Sequence, residues 1–216
     1  MLQWIILAIA TPFVFLLYPT RIIGKKYLKR NKKEAMLYSC NHQSNNDAIV
    51  LKSRVKWNSK FMAKDSLFKN KAMKGCLKML GAYPVKRGGN DIESIKHTLR
   101  LLKSNNHIVV FPEGTRVKGD EAVEYKNGIV FFALKSDCLV TPMVFRKKPK
   151  LLHSNTLLIG EPFRFSDYDE FKGVTKPNKE ILNLASKILT DKMEYLKNVD
   201  IKEYKKLTKE NLKISK

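Results

Sequence analysis

A histidine and an aspartate five positions apart close the segment Asn41-His42-Gln43-Ser44-Asn45-Asn46-Asp47, which directly follows the apolar run Ala35-Met36-Leu37-Tyr38-Ser39-Cys40. These residue types suggest a base and a carboxylate that orients it. On one continuous helix the two side chains would stand about 140° apart and could not meet. They meet if the chain turns after a strand and a helix starts near residues 44–47, where Ser44, Asn45 and Asn46 suit a turn or cap. Asp47 then accepts a hydrogen bond from one imidazole nitrogen of His42 and leaves the other as a base. Two rivals stay open on this segment alone: an ordinary loop with an N-capping aspartate, and Ser44 as a covalent nucleophile, although its position suits a cap better.

A second polar cluster, Phe111-Pro112-Glu113-Gly114-Thr115-Arg116, also follows an apolar run. Gly114 allows backbone N–H groups to approach an oxyanion or phosphate closely. Arg116 offers a planar fork for a phosphate. Glu113 either binds a substrate hydroxyl or holds Arg116 in place. In a third cluster, Tyr83-Pro84-Val85-Lys86-Arg87-Gly88-Gly89, Arg87 ends a predicted strand just before a helix N-terminus, itself a site for anions. Each cluster alone could be a solvated turn. All three at the carboxyl ends of strands point to one ligand site at one sheet edge, as in open α/β sheets.

Those clusters need strands to carry them, and the middle of the chain supplies alternating strand and helix patterns, the mark of an α/β fold. Residues 35–40, 60–63, 82–86, 107–111 and 139–145 read as strands, and 156–159 as a late strand expected at an edge. Helices are predicted within 66–80, from Asn90 as N-cap with Glu93 behind it, over 127–134, and from Asn178 onward. Ile92, Ile95, Leu99 and Leu102 mark the apolar face of one helix, and Ile181, Leu184, Ile188 and Tyr195 that of the last. The expectation is one α/β domain with a central, mostly parallel or mixed sheet flanked by helices. It would occupy residues 31–200, followed by a lysine-rich, solvated tail over 201–216.

Residues 1–30 read differently. No charged side chain occurs from Met1 to Tyr18, Pro12 interrupts the run, and Arg21, Lys25, Lys26, Lys29, Arg30, Lys32 and Lys33 follow it. A membrane span needs roughly 20 apolar residues, and proline kinks a helix. A kinked segment that dips into one leaflet is the preferred reading; a span, a cleaved signal peptide and a buried core helix are the alternatives. The basic flank favours anionic headgroups and, if the segment spans, places its C-terminal side in the cytoplasm. Over all 216 residues, 42 Lys and Arg against 20 Asp and Glu give a net charge of +22. That charge leaves open nucleic acid, an anionic membrane or a phosphorylated or acidic-protein substrate, as well as a plain lysine bias in composition. Cys40, Cys76 and Cys138 are odd in number and have no metal-ligand spacing, which argues against a disulfide framework or a zinc site.

From Ala35 to Phe145 the chain resembles the 1-acylglycerol-3-phosphate acyltransferase family. Asn41 to Asp47 is similar to its NHxxxxD motif, and Phe111–Arg116 matches FPEGTR letter for letter. Gly81-Ala82-Tyr83-Pro84-Val85-Lys86-Arg87 looks like its Gly-to-Arg strand, and Leu139-Val140-Thr141-Pro142-Met143-Val144 like its strand with a central proline. Tyr125-Lys126-Asn127-Gly128 is similar to its FKxG step, with tyrosine in place of phenylalanine, and Val117 stands where many members have serine.

The resemblance implies acyl transfer to lysophosphatidate in phospholipid synthesis, on the cytoplasmic face of the cell membrane. It implies no cofactor and no metal. His42 is the general base, and Asp47 holds its tautomer. Backbone N–H groups near Gly114 meet the oxyanion. Glu113, with Gly114 and Thr115, contacts the acceptor, and Arg87, Arg116 and Lys126 hold its phosphate. The donor is acyl-CoA, acyl carrier protein or acyl phosphate, and anionic membrane lipids are the expected surroundings. Glycerol-3-phosphate or another lysophospholipid is the alternative acceptor. A non-enzymatic nucleic-acid-binding protein is the alternative of another class; it would explain the charge but not the strand-end motifs, and no nucleic-acid partner is expected.

Overall fold

The computed structural model describes residues 11–28, 34–44, 46–55, 59–86, 91–114 and 127–214, with side chains to residue 209. After a helical stretch at residues 11–17, the elements are β1 (Thr20–Ile23), β2 (Met36–Cys40), α1 (Asp47–Arg54), β3 (Lys60–Lys64), α2 (Lys71–Met79), β4 (Ala82–Val85), α3 (Ile92–Lys103), β5 (His107–Val110), α4 (Gly128–Ser136), β6 (Leu139–Phe145), β7 (Asn155–Ile159), α5 (Lys179–Asn198) and α6 (Ile201–Ile214). They build one seven-stranded sheet in the order β1-β7-β6-β2-β5-β3-β4. All neighbours are parallel except β6 and β7. The expected mixed α/β sheet is therefore the fold.

Strands covered on both faces read as continuous apolar runs, and the pleat divides them by alternation. On one face Leu37, Ile108, Val110, Val140, Val144 and Leu158 pack with Leu102 of α3, Ile129 and Ala133 of α4, and Ala185, Leu189, Met193 and Leu196 of α5. On the other face Met36, Tyr38, Cys40, Val109, Met143, Phe145, Leu157 and Ile159 pack with Val50 and Leu51 of α1 and with Tyr27. β2 lies at the centre, so the segment that leaves its carboxyl end emerges between β5 and β6.

Several expectations need correction. The sheet starts at Thr20, inside the segment assigned to the N-terminal unit, because β1 pairs with β7. That pairing also makes β7 internal rather than an edge. α3 is capped by Asp91, whose side chain accepts from the Ser94 N–H at 3.2 Å, one residue beyond the cap expected at Asn90; Asn90 lies outside the described residues. Ile92 is exposed, as are Leu184 and Tyr195. The buried stripe of α5 is Ala185-Leu189-Met193-Leu196, which lies about 120° around the helix from Leu184 and Tyr195. The lysine-rich end is no solvated tail through its first turns. Tyr204 and Thr208 are buried one turn apart, and the Tyr204 hydroxyl donates to the Ile159 carbonyl at 2.8 Å. Among the described residues no helix is long and apolar enough to cross a membrane; residues 1–10 lie outside that description.

Candidate active site

The site segment begins where β2 ends. Asn41 continues β2 with its side chain instead of its backbone. Its Nδ2 donates to the Phe145 carbonyl at 3.0 Å, and its Oδ1 accepts the Phe145 N–H at 2.8 Å. That two-bond clamp to the end of β6 fixes the point from which His42 departs. The ring of His42 stacks on Phe111, with centroids 4.2 Å apart and planes 19° apart. Its backbone N–H donates to Glu113 Oε2 at 3.0 Å. The segments after β2 and β5 are thereby joined at one point.

The chain then turns as the residue types require. Ser44 Oγ accepts the Asn46 N–H at 3.1 Å, which is a turn-forming role. Asp47 opens α1 and is completely buried. Its Oδ2 accepts the N–H groups of Gln43 and Ser44, each at 2.7 Å, and faces His42 Nδ1 at 2.8 Å. An oxygen that already accepts two backbone N–H groups is an acceptor toward the ring as well, so Nδ1 carries hydrogen and Nε2 is the basic nitrogen. The imidazole keeps 15% of its side chain exposed, enough for a substrate to reach it. Asp47 Oδ1 is buried and has no hydrogen-bond partner among the described residues. An asparagine could keep an oxygen at the Oδ2 position only by burying its amide nitrogen without a partner, and it would remove the negative charge that faces the ring.

Glu113 is buried beside this pair. Burial pushes its carboxyl up to about 7, against the hydrogen bonds from its own and the His42 N–H, with the Asp47 charge adding to the rise. Gly114 takes a φ of 67°, a left-handed conformation that glycine adopts without strain, and its N–H donates to the Phe111 carbonyl at 3.0 Å. That N–H is spent on the turn, so the expected oxyanion contact cannot be made by it in this conformation. Cys40 lies beneath the site. Burial first, then the Asp47 and Glu113 charges, keep its thiol protonated, which removes it as a nucleophile. The other histidines have different surroundings: His107 bonds the buried Tyr38 hydroxyl, His97 packs edge-on against Tyr83, and His153 bonds a loop carbonyl.

The structure thus brings His42, Asp47, Glu113 and Gly114 together at the carboxyl edge of β2 and β5. Arg87, Thr115, Arg116 and Lys126 lie outside the described residues. Three contributors were not assigned these roles from sequence: Asn41 as a clamp, Phe111 as the ring's stacking partner, and Glu113 as acceptor for the His42 N–H. A side-chain carbonyl and amide just past a buried strand could have signalled the clamp. A contact between residues 71 apart has no local signal. Chemically, the arrangement can accept a proton at Nε2 and hold the resulting imidazolium against a buried carboxylate.

The chain is 30% identical over 186 residues to the 1-acyl-sn-glycerol-3-phosphate acyltransferase of Bacillus subtilis, covering 81% of this chain and 88% of that one. It is 29% identical over 141 residues to the chloroplastic 1-acyl-sn-glycerol-3-phosphate acyltransferase of Arabidopsis thaliana, covering 64% of this chain and 39% of that one. The fold is shared with the crystal structure of the 1-acyl-sn-glycerophosphate (LPA) acyltransferase of Thermotoga maritima. The TM-score is 0.62 at 19% identity, over 89% of this chain and 78% of that one. The acyltransferase family profile matches residues 20–146, a span that opens at β1 and closes just after β6, and the chain belongs to that family.

Proposed function

We propose that this protein transfers an acyl group from an activated fatty acyl donor to the free hydroxyl of 1-acylglycerol-3-phosphate, giving phosphatidate. The observation that carries this reading is the His42–Asp47 contact at 2.8 Å, with the carboxylate fully buried and the ring within reach of substrate. It is supported by the relatives named above. Nε2 of His42 takes the proton from the acceptor hydroxyl as its oxygen attacks the acyl carbonyl. The new ester C–O bond forms, the thioester or acyl-phosphate bond breaks, and the proton passes to the leaving group. No acyl-enzyme is needed. Asp47 keeps Nδ1 protonated and faces the imidazolium that forms, and positioned general-base assistance is typically worth about 10²–10⁴ in rate.

In the same reading Arg87, Arg116 and Lys126 hold the acceptor phosphate, while Glu113, with Gly114 and Thr115, borders the glycerol. The protein works at the cytoplasmic face of the cell membrane, where both the acceptor and the product reside. The donor is acyl-CoA, acyl carrier protein or acyl phosphate. The test is acyl transfer by detergent-solubilised protein given lysophosphatidate and each donor in turn. Phosphatidate formation with one of them is expected. No turnover with any of them, alongside turnover of glycerol-3-phosphate or another lysophospholipid, would move the acceptor assignment.

A further inference from the structure

The carboxyl edge of β2 carries more than the site. Phe61 of β3 is level with Val109, and Val109 with Tyr38, so Lys64 at the end of β3 stands level with Asn41. The segment that follows, a 3₁₀ turn at Asp65–Phe68 and then α2, leaves the sheet at the same edge as His42. None of the residues of α2 is buried. At about 100° per residue, Lys71, Lys74 and Lys78 share one narrow arc, and Ala72, Met73, Cys76, Leu77, Met79 and Leu80 cover the opposite side. Met73 and Leu67 are 46% and 45% exposed, and Cys76 is exposed between them and the helix end. Residues 64–80 hold five lysines and one aspartate.

The other end of the sheet offers a matching surface. β7 runs antiparallel to β6, and β1 runs parallel to β7, so both begin at the edge where β2 and β6 end. There the Leu152 N–H donates to the Leu17 carbonyl at 2.7 Å, tying the loop after β6 to the end of the helix at residues 11–17. Phe13, Leu16, Leu151 and Leu152 are 62%, 71%, 53% and 67% exposed, beside Lys147, Lys148 and Lys150. Two surfaces that combine exposed apolar side chains with lysines therefore start from the edge that carries His42, roughly 30 Å apart across seven strands, and α2 runs from there back toward the amino end of β4.

We propose that α2, with Leu67 of the turn before it, lies in the surface of an anionic bilayer as a second membrane contact, on the opposite side of His42 from the N-terminal helix. The lysine arc meets lipid phosphates while Met73, Cys76 and Leu67 enter the acyl boundary. An acidic protein partner would match the lysines alone; a bilayer matches the apolar centre too. The site then opens onto the leaflet that holds its lipid acceptor. That purpose rests on the acyl-transfer reading, whereas the contact itself does not.

Cys76 supplies the probe, because Cys40 and Cys138 are buried. The full-length protein is labelled at Cys76 with an environment-sensitive fluorophore and titrated with vesicles of phosphatidylcholine, with and without phosphatidylglycerol. Blue-shifted emission, quenched by lipid carrying an acyl-chain nitroxide, is expected with the anionic vesicles. Lys71→Gln, Lys74→Gln and Lys78→Gln should each weaken that response about fivefold, the equivalent of about 1 kcal/mol per charge. A label that stays in water while the protein sediments with vesicles would overturn the inference, as would a label that answers only to an acidic carrier protein. An active enzyme with an unresponsive label sinks this inference alone; an inactive protein with a quenched label sinks the acyl-transfer reading alone.

Discussion

Glu113→Gln isolates the electrostatic cost of keeping a carboxylate inside the site. Burial raises the Glu113 carboxyl from the ordinary 4.5 to about 7, so the folded protein holds this proton more tightly than the unfolded chain does. The stability that the bound proton contributes is present below about pH 4.5 and is lost as pH rises through about 7. At about 1.4 kcal/mol per pH unit, that interval amounts to roughly 3 kcal/mol. Glutamine keeps an oxygen to accept the His42 N–H and does not titrate. Its stability relative to the parent should therefore improve by about 3 kcal/mol between about pH 4.5 and pH 8, whatever the constant offset from the new amide group. Urea unfolding of both proteins in the same detergent across that range measures the difference. Parallel pH curves would refute the claim that this carboxylate is held at a cost. A variant that is more stable at pH 8 yet turns over acceptor more slowly would show what the cost is kept for.

Other perturbations test separate parts of the account. Asn41→Ala removes both bonds to Phe145 and should cost about 2 kcal/mol of stability; by loosening the start of the His42 segment it should also lower kcat by up to about 10². Arg116→Ala should raise the KM for a phosphate-bearing acceptor, and an unchanged KM would remove Arg116 from the phosphate site. Tyr204→Phe deletes one buried hydrogen bond to Ile159 and should cost about 1 kcal/mol in thermal or urea unfolding. No loss there would mean that α6 is not docked by that bond.

The sheet was legible because strands covered on both faces leave unbroken apolar runs: the bounds of β6 were read without error, and β2 to within one residue. β1 was missed for a physical reason. It has only four residues, with Arg21 exposed, and it follows an uncharged segment that hides its start. Helix geometry excluded a shared face for His42 and Asp47 and made a turn the condition for their meeting, but the spacing alone could not tell that turn from an ordinary capped loop. The link from Glu113 to the His42 backbone was invisible because it is made across the sheet, where spacing along the chain carries no information. α6 looked solvated through its lysines. Its buried Tyr204 and Thr208, four residues apart, are a stripe too narrow to stand out against that charge.

The central claim is that Nε2 of His42, aimed by a buried Asp47, removes the acceptor proton. Acyl transfer to lysophosphatidate by His42→Ala, compared with the parent at equal amounts of folded protein, tests it most directly. The account predicts a loss of at least about 10²-fold in kcat with unfolding unchanged. Parent-like turnover in that variant would contradict it.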